Sequence, residues 1–195
     1  MYKIVQIGKL PNLNVYIDYL DAAANLEIVH HKYGNSINVP DYPCWMEYQI
    51  DSEGSGSISF TRHTCKHPVL KYMAENIVQY LSTVFKGIVF EERRVHFLRT
   101  IGNIPPHVDE SGRICCINIG LKNSNTATTY MSNDGILENF EINNTRYILE
   151  DGGVYLVNTA NIHAVRSDYE DYRYLITYGF GTPVKNLINC LKSKV

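Results

Sequence analysis

The chain of 195 residues lacks most of the features that mark a specialised class of protein. It has no excess charge of one sign, with 18 Lys and Arg against 20 Asp and Glu and a net charge of −2. That balance argues against a broad electrostatic grip on nucleic acid or anionic membrane, while leaving a local basic patch open. No apolar run reaches the length that spans a bilayer. The opening Met1-Tyr2-Lys3-Ile4-Val5-Gln6 lacks the apolar core and cleavage site of a signal peptide, so the expected location is cytoplasmic. The five cysteines are an odd count without a Cys-x-x-Cys pair. This argues against a zinc–cysteine site and for reduced, buried thiols. Cys115 and Cys116 adjoin in a strand-like run and would point to opposite faces. There is no internal repeat, low-complexity tract or charge block. Asn143-Asn144-Thr145 is a formal sequon, read as chance without a secretory signal.

What is present describes an ordinary globular chain, 45% hydrophobic and 19% charged, long enough to bury a core as one domain. Residues 1–87 read as helices and loops. Val15 to Leu26 is expected to be helical behind Asn14 as N-cap. Tyr33 to Pro43 is dense in Gly, Asn and Pro and reads as loop, as does Ser52 to Ser57. The latter is either a plain surface connection or part of a lid, and composition favours the connection. Pro68 to Lys86 is the clearest helix, with Pro68 suited to its first turn and Gly87 to its end. Val69, Leu70, Met73, Ile77, Leu81, Val84 and Phe85 return at helical spacing and form one apolar face.

Beyond residue 87 the pattern becomes short strands divided by turn residues. The expected strands are Ile88–Phe90, Val95–Ile101, Ile114–Leu121, Thr126–Met131, Leu137–Ile142, Tyr147–Leu149, Val154–Asn158, His163–Arg166 and Arg173–Phe180. About eight strands preceded by helices fit a mainly β chain. The expected fold is a double-stranded β-helix, a cupin-like jelly-roll, over residues 88–182. The N-terminal helices would pack on one sheet, and 183–195 would form a tail or helix.

Within that region His107-Val108-Asp109 is followed 56 residues later by His163, and ten residues further by Arg173. Two imidazoles and a carboxylate are the donor set with which proteins hold iron(II) on one face while leaving the others open. His107 and Asp109, two apart, share a face of a regular strand, and Pro105-Pro106 stiffens their approach. Both donor types are available at neutral pH. Arg173 opens a strand; inside a sheet its guanidinium needs an anionic partner, and a carboxylate suits its fork. By alternation Arg173, Leu175 and Thr177 share one face, and Cys116, Asn118 and Gly120 another. Asn118 and Thr177 are candidates to add hydrogen bonds. Arg99 is a candidate contact to substrate or co-substrate, with a structural ion pair as its alternative.

Each residue alone has a plainer explanation. His-x-Asp tripeptides arise by chance, His163 suits a core position, and Arg173 suits a surface pair with Asp168, Glu170 or Asp171. Order and spacing together favour the functional explanation. His30-His31 would point apart in a strand. His63 and His67 are four apart, but Pro68 starts the helix after them. His96 reads as structural, and the 15 tyrosines as core and rim residues.

The segment from about Arg94 to Phe180 resembles the iron(II)/2-oxoglutarate-dependent dioxygenase superfamily. Phe97-Leu98-Arg99-Thr100-Ile101-Gly102-Asn103-Ile104-Pro105-Pro106-His107-Val108-Asp109 is similar to the first ligand strand of the aspartyl/asparaginyl and prolyl hydroxylases. Arg113 to Leu121 resembles the strand that follows. Glu150 to Thr159 with His163-Ala164-Val165 resembles the turn and strand that deliver the distal histidine. The resemblance implies Fe(II) on His107, Asp109 and His163, and 2-oxoglutarate anchored by Arg173. It implies hydroxylation of an amino-acid side chain, prolyl or aspartyl/asparaginyl, free or in a protein, with succinate and CO2 released. The alternatives are oxidation of another small metabolite, or a non-catalytic cupin-like module holding metal. Residues before 90 match no named pattern. The compact spacer between Asp109 and His163 is similar to small microbial or phage-encoded members.

Overall fold

The computed structural model describes residues 3–23, 27–30, 44–48, 56–61, 68–109, 112–135 and 143–192. In chain order the elements are β1 (Ile4–Lys9), α1 (Leu13–Ala23), β2 (Glu27–His30), β3 (Cys44–Tyr48), β4 (Gly56–Thr61) and α2 (Pro68–Val84). There follow β5 (Val95–Ile101), β6 (Ile104–His107), β7 (Cys115–Lys122), β8 (Ala127–Ser132), β9 (Asn144–Ile148), β10 (Gly153–Val157), β11 (His163–Ser167), β12 (Arg173–Phe180) and α3 (Val184–Asn189). The large sheet has the order β1-β10-β7-β12-β5-β4-β3-β2, and the small sheet β6-β11-β8-β9. From β5 onward the chain passes between them, with β5, β7, β10 and β12 in the large sheet and β6, β8, β9 and β11 in the small one. This is the expected mainly β jelly-roll.

The stretch 1–87, expected as helices and loops, also supplies β1 to β4. β1 lines up on β10, Ile4 opposite Val157, and β4 lines up on β5, Phe60 opposite Phe97. These runs are short and gain their pairing from sheet edges far away in sequence, which local pattern does not register. Gly56 and Ser57, read as loop, therefore begin a strand. Ile88–Phe90 forms no strand. Phe90 is instead buried among Phe85, Tyr178 and Phe180, and the Glu91 N–H donates to the Tyr178 hydroxyl at 3.0 Å. α1 begins before Asn14, with Asn12 in the left-handed region at φ 54° and the Val15 N–H donating to its carbonyl. The expected loop at 33–43 and residues 52–55, the expected strand Leu137–Ile142, and His31, His63 and His67 lie outside the described residues.

β6 was not among the expected strands, and it stops at His107, so Asp109 does not share a strand face with His107 as the spacing suggested. Proline removes a ladder donor and is tolerated on edge strands, and β6 is the edge of the small sheet. α2 stops two residues short of expectation because the backbone beyond it is recruited elsewhere. Phe85 bridges Leu191, Lys86 N–H donates to the Cys190 carbonyl at 2.6 Å, and Lys192 N–H donates to the Val84 carbonyl at 2.9 Å. Gly87 then turns the chain at φ 74°.

The main core lies between the helices and one face of the large sheet. Leu70, Met73, Ile77 and Leu81 of α2 are buried with Phe97, Ile117, Ile119, Ile176 and Tyr178. Each such side chain contributes roughly 1.5–3 kcal/mol through burial. Strand alternation sends the intervening residues of β5, β7 and β12 to the opposite face, toward the small sheet. No helix among the described residues is long and apolar enough to cross a membrane.

Candidate metal centre and its cavity

His107 ends β6 and His163 begins β11, and the two are register partners across the small sheet. Their rings stand 4.3 Å apart between centroids. Asp109 lies just beyond β6, held by its N–H donating to the Thr159 carbonyl at 3.2 Å. Asp109 Oδ1 is 3.7 Å from His107 Nε2 and 3.9 Å from His163 Nε2. One ligand atom from each of the three falls within 4.8 Å of the others. The structure thus brings together the three residues singled out by spacing.

The histidine tautomers follow from their backbone partners. His107 Nδ1 lies 2.8 Å from the Pro105 carbonyl and His163 Nδ1 3.0 Å from that of Asn161. A carbonyl only accepts, so each Nδ1 carries the proton and each Nε2 keeps a lone pair for the centre. Burial, and then the neighbouring His107, push the His163 pKa below its ordinary value, which favours the neutral ligand form.

The cluster opens into a cavity of about 850 Å³ between the two sheets. Arg173 lines it and is buried, its Nε donating to Thr100 Oγ1 at 3.1 Å. It forms no ion pair among the described residues, and burial pushes its pKa down to about 10. The plainer alternative, a surface pair with Asp168, Glu170 or Asp171, is not formed; Arg173 is buried. Asn118 and Thr177 are cross-strand neighbours on the same wall. Asn118 Oδ1 accepts from Cys116 Sγ at 3.3 Å. The Thr177 hydroxyl is buried beside that thiol without a well-formed hydrogen bond.

Arg99 is not brought to the site. It lies between Leu98 and Thr100, which line the cavity, so alternation turns it to the helix-covered face. There its guanidinium stacks on the Tyr172 ring at 4.4 Å. A pattern of alternation starting from Arg173 and its partner Thr100 would have assigned this correctly. His96, read as structural, lines the cavity instead.

Two residues of the site carried no sequence signal strong enough to single them out. Arg113 Nε donates to Asp109 Oδ2 at 2.7 Å, and Thr159 accepts the Asp109 N–H while its hydroxyl donates to the Arg113 carbonyl at 3.1 Å. The Arg113 pKa is raised: burial opposes the charge, but Cys116 and Asp109 outweigh it. The four-residue spacing from Asp109 to Arg113 was the available hint, and outside a helix it carries little weight.

No protein-family model matches the sequence, and no curated protein matches it. Solved structures match in fold. The non-heme alpha-ketoglutarate-dependent epimerase SnoN from nogalamycin biosynthesis superposes with a TM-score of 0.53 at 11% identity, over 89% of this chain and 75% of that one. A prolyl hydroxylase from Trichoplax adhaerens, in complex with a peptide fragment of the hypoxia inducible factor oxygen degradation domain, gives 0.52 at 13% identity, over 91% and 83%. An oxidoreductase of the 2OG-Fe(II) oxygenase family from Burkholderia pseudomallei gives 0.51 at 14% identity, over 90% and 84%. The chain has the fold these 2-oxoglutarate/Fe(II) oxygenases share. An epimerase and a hydroxylase stand among them, so the fold by itself does not choose a reaction.

Proposed function

We propose that the chain, as one domain, is an Fe(II)- and 2-oxoglutarate-dependent oxygenase that hydroxylates an amino-acid side chain. Prolyl and aspartyl/asparaginyl side chains, free or in a protein, are the leading substrates. The observation that carries the reading is a converging His107–Asp109–His163 donor set in the same cavity as a buried guanidinium that forms no ion pair among the described residues. Both halves fit the absent groups. Two neutral imidazoles and a carboxylate suit Fe(II) and leave room beside it for a co-substrate and oxygen. Arg173 is buried without an ion-pair partner among the described residues, a deficit that a carboxylate of 2-oxoglutarate would relieve.

When bound, iron(II) with 2-oxoglutarate supplies oxygen activation, with succinate and CO2 as co-products. The chain's own residues do the rest. His107, Asp109 and His163 hold the metal, while Pro105 and Asn161 carbonyls fix the imidazole orientation. Arg173 orients the distal carboxylate, assisted by Thr100, and Asn118 and Thr177 offer polar contacts along the same wall.

The test is direct. Anaerobic addition of Fe(II) and 2-oxoglutarate should produce a visible charge-transfer band, and admitting oxygen should release succinate slowly even without substrate. A panel of proline-, asparagine- and aspartate-containing peptides should then reveal one that gains a single oxygen atom by mass spectrometry. Failure of both band and succinate would sink the catalytic reading and leave a metal-holding module. Succinate without a modified peptide would redirect the search to small metabolites.

A further inference from the structure

The two carboxylate oxygens of Asp109 are used differently. Oδ1 faces the Nε2 atoms of both histidines, whereas Oδ2 accepts the hydrogen bond from Arg113 Nε at 2.7 Å. A free carboxylate can grip a metal through both oxygens and would then take two positions in place of one. With two histidines that would leave too few sites for a chelating co-substrate and oxygen together. Arg113 removes this option by occupying Oδ2.

Its seat is built by two separate parts of the chain, Thr159-Ala160 and Gly179-Phe180. The Thr159 hydroxyl holds the Arg113 carbonyl, and the Thr159 carbonyl holds the Asp109 N–H, so one residue grips both ends of the ion pair. The Ile114 carbonyl accepts from Ala160 N–H at 3.2 Å, and Ile114 N–H donates to the Phe180 carbonyl at 2.9 Å. The aliphatic part of Arg113 crosses β12 at Gly179, where a Cβ would collide with both Cγ and Cδ. Glycine is required there for space.

We propose that Arg113, seated in the notch at Gly179, is a positioning residue that holds Asp109 as a one-oxygen metal ligand. The inference rests on the metal-binding part of the proposed function. A merely structural ion pair would support the fold and leave the metal's surroundings unchanged.

Co(II) is the probe, added to the full chain, with its visible spectrum reporting coordination and its titration reporting affinity. Arg113→Ala should change the band intensity and weaken binding by about tenfold, the usual cost of losing a ligand's supporting partner. Gly179→Ala should shift the spectrum in the same direction by displacing Arg113, and should add nothing in an Arg113→Ala background. Arg113→Lys, which keeps charge but loses the guanidinium geometry, should rescue only partly. If Arg113→Ala does not fold, as judged by circular dichroism, Gly179→Ala against wild type carries the same comparison. A wild-type spectrum in folded Arg113→Ala or Gly179→Ala overturns the inference, as do effects that simply add. Co(II) binding that depends on His107 and not on Arg113 overturns this inference alone. Wild-type protein that takes up no Co(II) overturns the proposed function and this inference with it.

Discussion

Arg173 buries a positive charge that forms no ion pair among the described residues. Its pKa is pushed down to about 10 by burial, so the unfolded chain holds that proton more tightly than the folded one. The resulting cost is present in full at neutral pH and is relieved only as pH rises through about 10 toward the unfolded value. Arg173→Met should therefore raise the apo unfolding temperature, corresponding to about 1–3 kcal/mol. The same variant should lose the stabilisation that 2-oxoglutarate confers on wild type, about 2.7 kcal/mol at a hundredfold excess over Kd. Thermal denaturation with and without 2-oxoglutarate measures both, and a retained ligand shift in the variant would remove Arg173 from the site. Cys116 makes a second residue-scale case. Burial pushes its thiol up to about 12, only partly opposed by Arg113, although it lines the cavity. At pH 8 the thiol therefore stays protonated. Iodoacetamide should leave Cys116 unlabelled in native protein and modify it in urea; rapid native labelling, located by peptide mass spectrometry, would contradict this.

Among the elements, α2 was readable end to end but for its last turn, because Leu70, Met73, Ile77 and Leu81 form a stripe that only a helix brings to one face. It serves the side of the large sheet remote from the cavity. Leu81→Ala should cost about 2–5 kcal/mol, visible as a lower urea midpoint, while metal affinity stays unchanged. A matching loss of metal affinity would show that the two faces of the sheet are coupled. β12 was equally readable, and its bounds matched expectation, because eight residues bounded by turns alternate the large apolar Tyr174, Ile176, Tyr178 and Phe180 with Arg173, Leu175, Thr177 and Gly179. β6 was not, since its two prolines oppose strand formation wherever both edges must pair. Arg99 fell on the wrong face for a related reason: alternation tells which residues share a side, and one further residue of known orientation is needed to say which side. Thr100, opposite Arg173, is that residue.

At the scale of the whole molecule the site is assembled from chain segments that have no reason to meet in the unfolded state. His107 and His163 are register partners only because β6 and β11 pair across the small sheet. Metal binding should therefore report folding as well as chemistry. Saturating Co(II) should raise the unfolding temperature of wild type, by the equivalent of about 2.7 kcal/mol at a hundredfold excess over Kd. His107→Ala should abolish that shift in the same melting experiment, and a shift that persists would place the metal elsewhere. The long reach of the large sheet follows the same logic. β1 joins β10 and β4 joins β5, so the described residues before the jelly-roll strands widen one sheet without supplying a ligand atom to the cluster.

By itself the sequence determined the donor types, their order, the apolar stripe of α2 and the strands from β5 onward other than β6. Those depend on side-chain chemistry and on periods of two or 3.6 residues, which are local properties. Only the tertiary structure decided that Arg99 faces the helices, that residues before 68 form strands, and that Arg113 reaches Asp109 across Gly179. Each of these depends on which distant backbone lies alongside. Pairing and close approach are set by the packing of the whole chain, and the local pattern holds no record of them.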